Sequence, residues 1–413
     1  MPAPMPAPTP EPSEFRRSRP STPPPGYSLR DFALRPVWPR LLVTARLAAA
    51  PSRILLGCLL VILVALCASL PAMWLEDKSR NPASVFGEQA VTATRLIGAS
   101  VDDLSLPKFF RGAIQLTVGT WTAAFKSGPW SFLAIAVPSL IFAGIIGGAI
   151  ARSAAETFVG RPTPRGVAAF TFAAKRARSF AIVLLAPWAV LGLLYLLNAI
   201  LGWLGLSLPW VQVAGAVLGF VGVVGAALIF AVVGAYAVAA PMLPAALACE
   251  GTDAIDAVQR VAAYAWGRPG RLLLYGATLL VQGLFLAVVL VGIVGVVNLV
   301  AAESLTLWLP NDKGSYLRVW LISGEAPFTM SIQETASLKA TGRVLGFWGK
   351  VPLLLVAGYL ASFVFSGGSV WYLLMRLICD GQEPEELWSP SGPVLRPEGD
   401  QGANGEPADP TDE

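Results

Sequence analysis

No ionisable residue lies inside any of six apolar stretches, and each stretch is about as long as a bilayer is thick. They run over 54–75, 131–151, 180–200, 211–232, 272–300 and 351–377, with Arg376 at the end of the last. A hydrocarbon core of about 30 Å takes roughly 20 residues of helix to cross. Within lipid an unpaired backbone amide or carbonyl costs several kcal/mol, so such segments must close their hydrogen bonds internally as helices. The expected fold is therefore all-α: a polytopic transmembrane helix bundle of six spans, with interfacial amphipathic helices.

Composition agrees, with 55% hydrophobic and only 14% charged residues, where a soluble domain carries about a quarter charged. Histidine is absent, which removes the commonest general base and a leading metal ligand. The four cysteines have no zinc-ligand spacing and read as free apolar thiols. No nucleophile elbow, HExxH, P-loop or dinucleotide fingerprint occurs. No catalytic, cofactor-binding or metal-binding residue is assigned, and no nucleic-acid partner is expected.

Arginine placement sets the expected orientation. Residues 1–53 carry eight Arg against three acids, and the connector between the second and third spans carries Arg152, Arg161, Arg165, Lys175, Arg176 and Arg178 against Glu156. Arg260, Arg268 and Arg271 lie between the fourth and fifth spans. The alternate connectors 76–130 and 301–350 are nearly balanced, with eleven basic and nine acidic residues together. The positive-inside rule then places both termini and both basic connectors in the cytoplasm, in a cell (inner) membrane.

Residues 1–28 form a proline-rich tail, and 29–53 a basic juxtamembrane segment suited to an anionic leaflet, where each basic residue contributes roughly 1 kcal/mol. The transmembrane domain covers 54–377, and 378–413 is an acidic tail. In connector 76–130, Val85 to Ile97 and Phe109 to Phe125 predict two amphipathic helices, broken from the second span at Gly128-Pro129. The aromatic density of 301–350 predicts a folded cap, with Trp308, Trp320 and Trp348 in an aromatic belt. Thr163-Pro164 and Thr252-Asp253 read as helix starts of two similar connectors, suggesting that spans 2–3 and 4–5 are repeated hairpins. In the second, Ile255, Val258, Ala262 and Ala265 make an apolar stripe.

Gly144 and Gly148, and Gly215 and Gly219, have the spacing that lets helix backbones approach closely. They are candidate helix-packing positions, within the chain or between two copies. The candidate functional cluster is Glu250, Asp253, Asp256, Arg260, Arg268 and Arg271 on one basic connector. Three acids near three bases are what proton transfer chemistry needs if they converge, and helix-end electrostatics explains them if they do not.

Two stretches carry a resemblance. One runs Pro244-Ala-Ala-Leu-Ala-Cys-Glu250-Gly251-Thr252-Asp253-Ala254-Ile255-Asp256-Ala257, through Arg260 and Tyr264 to Arg268-Pro269-Gly270-Arg271; the other is Tyr372-Leu-Leu-Met-Arg376 with Asp380-Gly381 and Glu385-Glu386. With Gly147 to Arg152 and Arg178-Ser179-Phe180, they resemble uncharacterised bacterial six-pass membrane proteins. These in turn are distantly similar to the membrane domain beside some glycerophosphodiester phosphodiesterases. The resemblance implies a fold and a cellular setting, and no active-site residue carries over. The leading expectation is a non-catalytic scaffold or accessory component of envelope or lipid-related processes. Its expected partners are membrane lipids at the Arg-rich segments, with a protein partner or a second copy. A transporter or channel-like protein for an apolar or lipid substrate is the alternative, and an intramembrane enzyme the third.

Overall fold

The computed structural model describes residues 38–73, 81–103, 105–162, 166–207, 215, 219–323 and 335–388. Thr163-Pro164, the start of the fourth expected span and most of both tails lie outside the described residues. Among the described residues there is no strand. Helix α1 (Val43–Ala48) leads into α2 (Pro51–Ser69), which ends in a 3-10 turn reaching Met73. Then come α3 (Pro82–Asp102), α4 (Leu106–Ile114) and α5 (Thr120–Ser127). They are followed by α6 (Pro129–Phe158), α7 (Gly166–Lys175), α8 (Ala177–Ser207), α9 (Gly219–Ala239) and α10 (Met242–Glu250). The last four are α11 (Ala254–Gly267), α12 (Pro269–Thr306), α13 (Asn311–Ser323) and α14 (Ala336–Asp380). Six of them, α2, α6, α8, α9, α12 and α14, are long and apolar enough to cross a membrane. The chain is a multi-pass helical membrane protein.

Turn chemistry sets the breaks. Gly128 is extended and Pro129 opens α6; Pro51 and Pro269 likewise stand at the first helical position, where a missing N–H costs nothing. Gly251 and Gly381 end α10 and α14 in the left-handed region, at φ +64° and +67°.

Helix α14 is the axis, packed by α2, α6, α10 and α12. Over half of its apolar window (56%) is buried, against none of α9, which packs chiefly on α8 at the periphery. Glycine makes the closest crossings. A Cβ on Gly57 would lie 2.0 Å from the Gly358 carbonyl oxygen, and one on Gly144 would lie 2.2 Å from that of Phe180. Small residues are how helices gain contact where lipid is as apolar as leucine.

Several helices outrun their apolar stretches. α6 continues to Phe158, α12 to Thr306, and α14 begins at Ala336, within the connector read as 301–350. Hydropathy marks where lipid stops, whereas a helix stops where its backbone bonds do. The fourth span is described from Gly219 and continues to Ala239, past the expected end at Val232.

Between the first two spans the expected amphipathic helices form. α3 packs on α4 and α5, and Trp121 ties them down, with Phe86 5.0 Å and Trp188 of α8 5.3 Å away between ring centroids. The expected cap also forms, as α13 against the start of α14. Tyr316, Leu317 and Trp320 pack there with Leu338 and Leu345, and Asn298 donates to the Gly349 carbonyl at 3.1 Å. Trp320 thus belongs to the cap interior and not to an exposed belt, whereas Trp308 and Trp348 are exposed. The hairpin likeness is incomplete: among the described residues one basic connector carries α7 after the long α6, whereas the other carries α10 and then α11.

Candidate functional site: the arginine-rich end of the bundle

Helix α10 is buried from Met242 to Cys249, and its apolar faces are spent on α6 and α14. Its one charged residue, Glu250, therefore emerges at the end of the helix among the last turns of α14. There Arg376 Nη1 lies 3.2 Å from Glu250 Oε1, an ion pair with only 4% and 12% of the two side chains exposed. Arg260 of α11 reaches Glu250 Oε2 at 3.1 Å, and the Tyr372 hydroxyl donates to Oε1 at 2.9 Å. Tyr264 donates to Asp380, and its ring lies 5.8 Å from that of Tyr372. Burial, then the Asp380 contact, pushes the Tyr264 hydroxyl well above the ordinary tyrosine range.

Arg152, 5% exposed, is the second buried cation. It pairs with Glu156 one turn on at 2.5 Å. It also donates to the Ala248 carbonyl at 2.9 Å and to that of Trp388 at 2.8 Å. The Cys249 thiol between these groups is wholly buried and pushed up to about 12 by that burial, which outweighs the pull of Arg152 and Arg376.

Residues 381–388, which the sequence assigns to the acidic tail, instead form a strap across this end. The Trp388 amide donates to the Cys249 carbonyl at 3.0 Å. Its ring lies 4.3 Å beneath the Arg176 guanidinium and closes against Gly251, where a Cβ would come within 2.4 Å of the indole. Arg176 in turn donates to the Gly251 carbonyl at 2.7 Å. A third buried arginine, Arg53, is 1% exposed and meets no carboxylate among the described residues. It donates to Ser153 Oγ and O, both at 3.0 Å, and to Leu47 O and Thr157 Oγ1. These acceptors lie near the C-terminal ends of α1 and α6, where the helix dipole favours a cation.

Of the sequence-derived cluster, the fold pairs Glu250 with Arg260. Asp253 caps α11 by position and is exposed, as is Asp256. Arg268 and Arg271 lie within electrostatic reach of Cys379. The three carboxylates do not converge. The buried face of α11 is Ala254, Ala257, Val261 and Tyr264, one residue earlier than the apolar stripe; Ile255 is 66% exposed. Arg152, Tyr264, Tyr372 and Arg376 enter the sequence analysis as connector charges or within the resemblance, not as site candidates, and Trp388 does not enter it; a charge one helical turn beyond an aromatic at the end of an apolar run is the local signal that Arg376 offers. Of the packing glycines, Gly144 and Gly148 both press on Phe180 of α8, whereas a Cβ on Gly219 would meet nothing within 4 Å. Gly215 is half-buried.

Comparison with protein-family models, with curated proteins and with solved structures returned no match.

Proposed function

We propose that this protein is a non-catalytic scaffold or accessory component of envelope or lipid-related processes, seated in the cell (inner) membrane with its arginine-rich end toward the cytoplasm. One observation carries the reading. The buried ionic groups, Glu250 with Arg376 and Arg152 with Glu156, are spent on one another and on backbone carbonyls. Groups so paired hold helices together; Arg376 Nη1 meets Glu250 as an ion pair without a hydrogen bond, and neither buried carboxylate, Glu156 or Glu250, is left unpaired. The excess of arginine at this end favours the anionic leaflet.

The test is extraction in native lipid followed by mass spectrometry of what is retained, with reporter fusions at Lys175 and Arg260. The expected result is anionic lipid together with a protein partner at fixed ratio, and both reporters cytoplasmic. Hydrolysis of a lipid by the purified protein, or reporters on opposite faces, would overturn it. A transporter for an apolar or lipid substrate is the second reading. It is favoured by an open groove of about 420 Å³ between α8 and α9, in which Tyr195, Asn198, Gly219 and Gly222 face one another. Movement of a labelled lipid across proteoliposomes by the protein alone would select it.

A further inference from the structure

Four successive backbone carbonyls of the strap are held by arginine. Glu385 and Leu387 accept from Arg161 at 3.2 and 3.3 Å, Glu386 from Arg376 at 2.7 Å, and Trp388 from Arg152 at 2.8 Å. Guanidinium groups on α6, on the turn after it and on α14 thus converge on a row of carbonyl oxygens, and the one strap carboxylate within ion-pair range, that of the exposed Glu386, lies 4.0 Å from Arg376. Such forks are shaped for oxyanions, and their bonds to a charged acceptor are roughly twice as strong as to a neutral one. The charge count points the same way. Arg152 and Arg376 have Glu156 and Glu250, but Arg161 and Arg176 meet no carboxylate among the described residues.

Depth and surroundings narrow the class of anion. Arg176 immediately precedes the span Ala177–Leu204, which puts it at the polar boundary of the bilayer. On the two connectors of this end Val167, Ile255 and Trp266 are 79%, 66% and 81% exposed, side chains suited to the interfacial layer. The strap hangs from Gly381, a left-handed residue with open space around it, it has no regular secondary structure, and it is anchored by Pro384, Leu387 and the Trp388 ring.

We infer that these arginines form a cradle for the phosphate of an anionic lipid headgroup, and that the chain's own strap, Gln382 to Trp388, occupies it in competition with that lipid. The inference rests on the headgroup-facing placement proposed above. Tethering gives the strap an effective concentration of order millimolar, so its carbonyls, with the long Glu386–Arg376 contact, hold the site until phosphate is abundant at the surface.

Hydrogen exchange of the strap amides in the full-length protein tests this, in nanodiscs of phosphatidylcholine alone or doped with phosphatidylglycerol. Phosphatidylglycerol is expected to speed strap exchange by about tenfold, the equivalent of one charge-assisted hydrogen bond. Trp388→Ala should raise retention of phosphatidylglycerol by a similar factor. Arg161→Gln, at a half-exposed position that the fold does not need, should lower it. Equal strap exchange in both compositions, with retention unmoved by either substitution, overturns the inference. Release of the strap by inorganic phosphate in plain phosphatidylcholine, to the same extent as by phosphatidylglycerol, overturns the lipid assignment in favour of a soluble phosphate. Nanodiscs expose both faces, so a strap response is independent of the orientation that the reporter fusions test.

Discussion

Replacing Glu250 by leucine strips the buried Arg376 of its nearer carboxylate, at 3.2 Å, and leaves the exposed Glu386 carboxylate at 4.0 Å. Arg376 is 3% exposed and keeps two other acceptors, Gln382 Oε1 and the Glu386 carbonyl, both at 2.7 Å. Removing one partner of a buried ion pair costs about 3–5 kcal/mol, and the surviving acceptors put this case near the lower figure. Arg260 adds little, since 41% of its side chain is exposed and water screens it. Glu250→Gln should cost less, about 1–2 kcal/mol, because the amide oxygen still accepts from Tyr372. The informative variant is the pair Glu250→Leu with Arg376→Met, which removes both charges and should regain most of the loss. Unfolding followed by tryptophan fluorescence in a fixed detergent, for both single variants and the pair, measures the coupling as a double-mutant cycle. Strict additivity of the two single losses would refute the claim that these charges stabilise the bundle as a pair.

Gly57→Leu should destabilise by about 3 kcal/mol or more, since its side chain must displace the Gly358 backbone, whereas Gly219→Leu should stay within about 0.5 kcal/mol; thermal midpoints of the two variants check the contrast. Arg53→Met removes the hydrogen bonds from the guanidinium to the Leu47 and Ser153 carbonyls, which keep only Ala50 N–H and Thr157 Oγ1 as further donors outside the regular helix bonds, and should cost about 1–2 kcal/mol in the same unfolding assay, an effect absent if the arginine were merely tolerated. The buried Cys249 should resist maleimide at neutral pH and label only on unfolding, read by mass spectrometry of its peptide. Because burial raises its pKa from the ordinary 9.0 to about 12, the unfolded chain loses that proton first. Cys249→Ser should therefore flatten a loss of stability as pH rises between those two values.

The resolution of sequence reading here follows the range of the physics. Spans were legible because burial in lipid is a property of each segment alone: twenty apolar residues suffice wherever they sit. Caps and breaks at Gly128-Pro129 and Asp253 were legible for the same reason. The candidate cluster was only half legible. Glu250 and Arg260 share a connector, so proximity along the chain found them, but proximity also drew in Asp253 and Asp256, which helix geometry turns outward. The strap was read as tail because its composition is acidic and proline-containing; its anchors, Leu387 and Trp388, gain their role only from a cleft made by other helices.

Hydrophobic length and arginine distribution thus determined, without any contact, that this chain threads a membrane as six helices. Which charges meet was decided by the tertiary structure, because Tyr372 and Glu250 stand 122 positions apart and pair only once α10 is buried against α14. Solvation acts on each residue where it stands, while an ion pair exists only between groups that packing has already brought within a few ångströms.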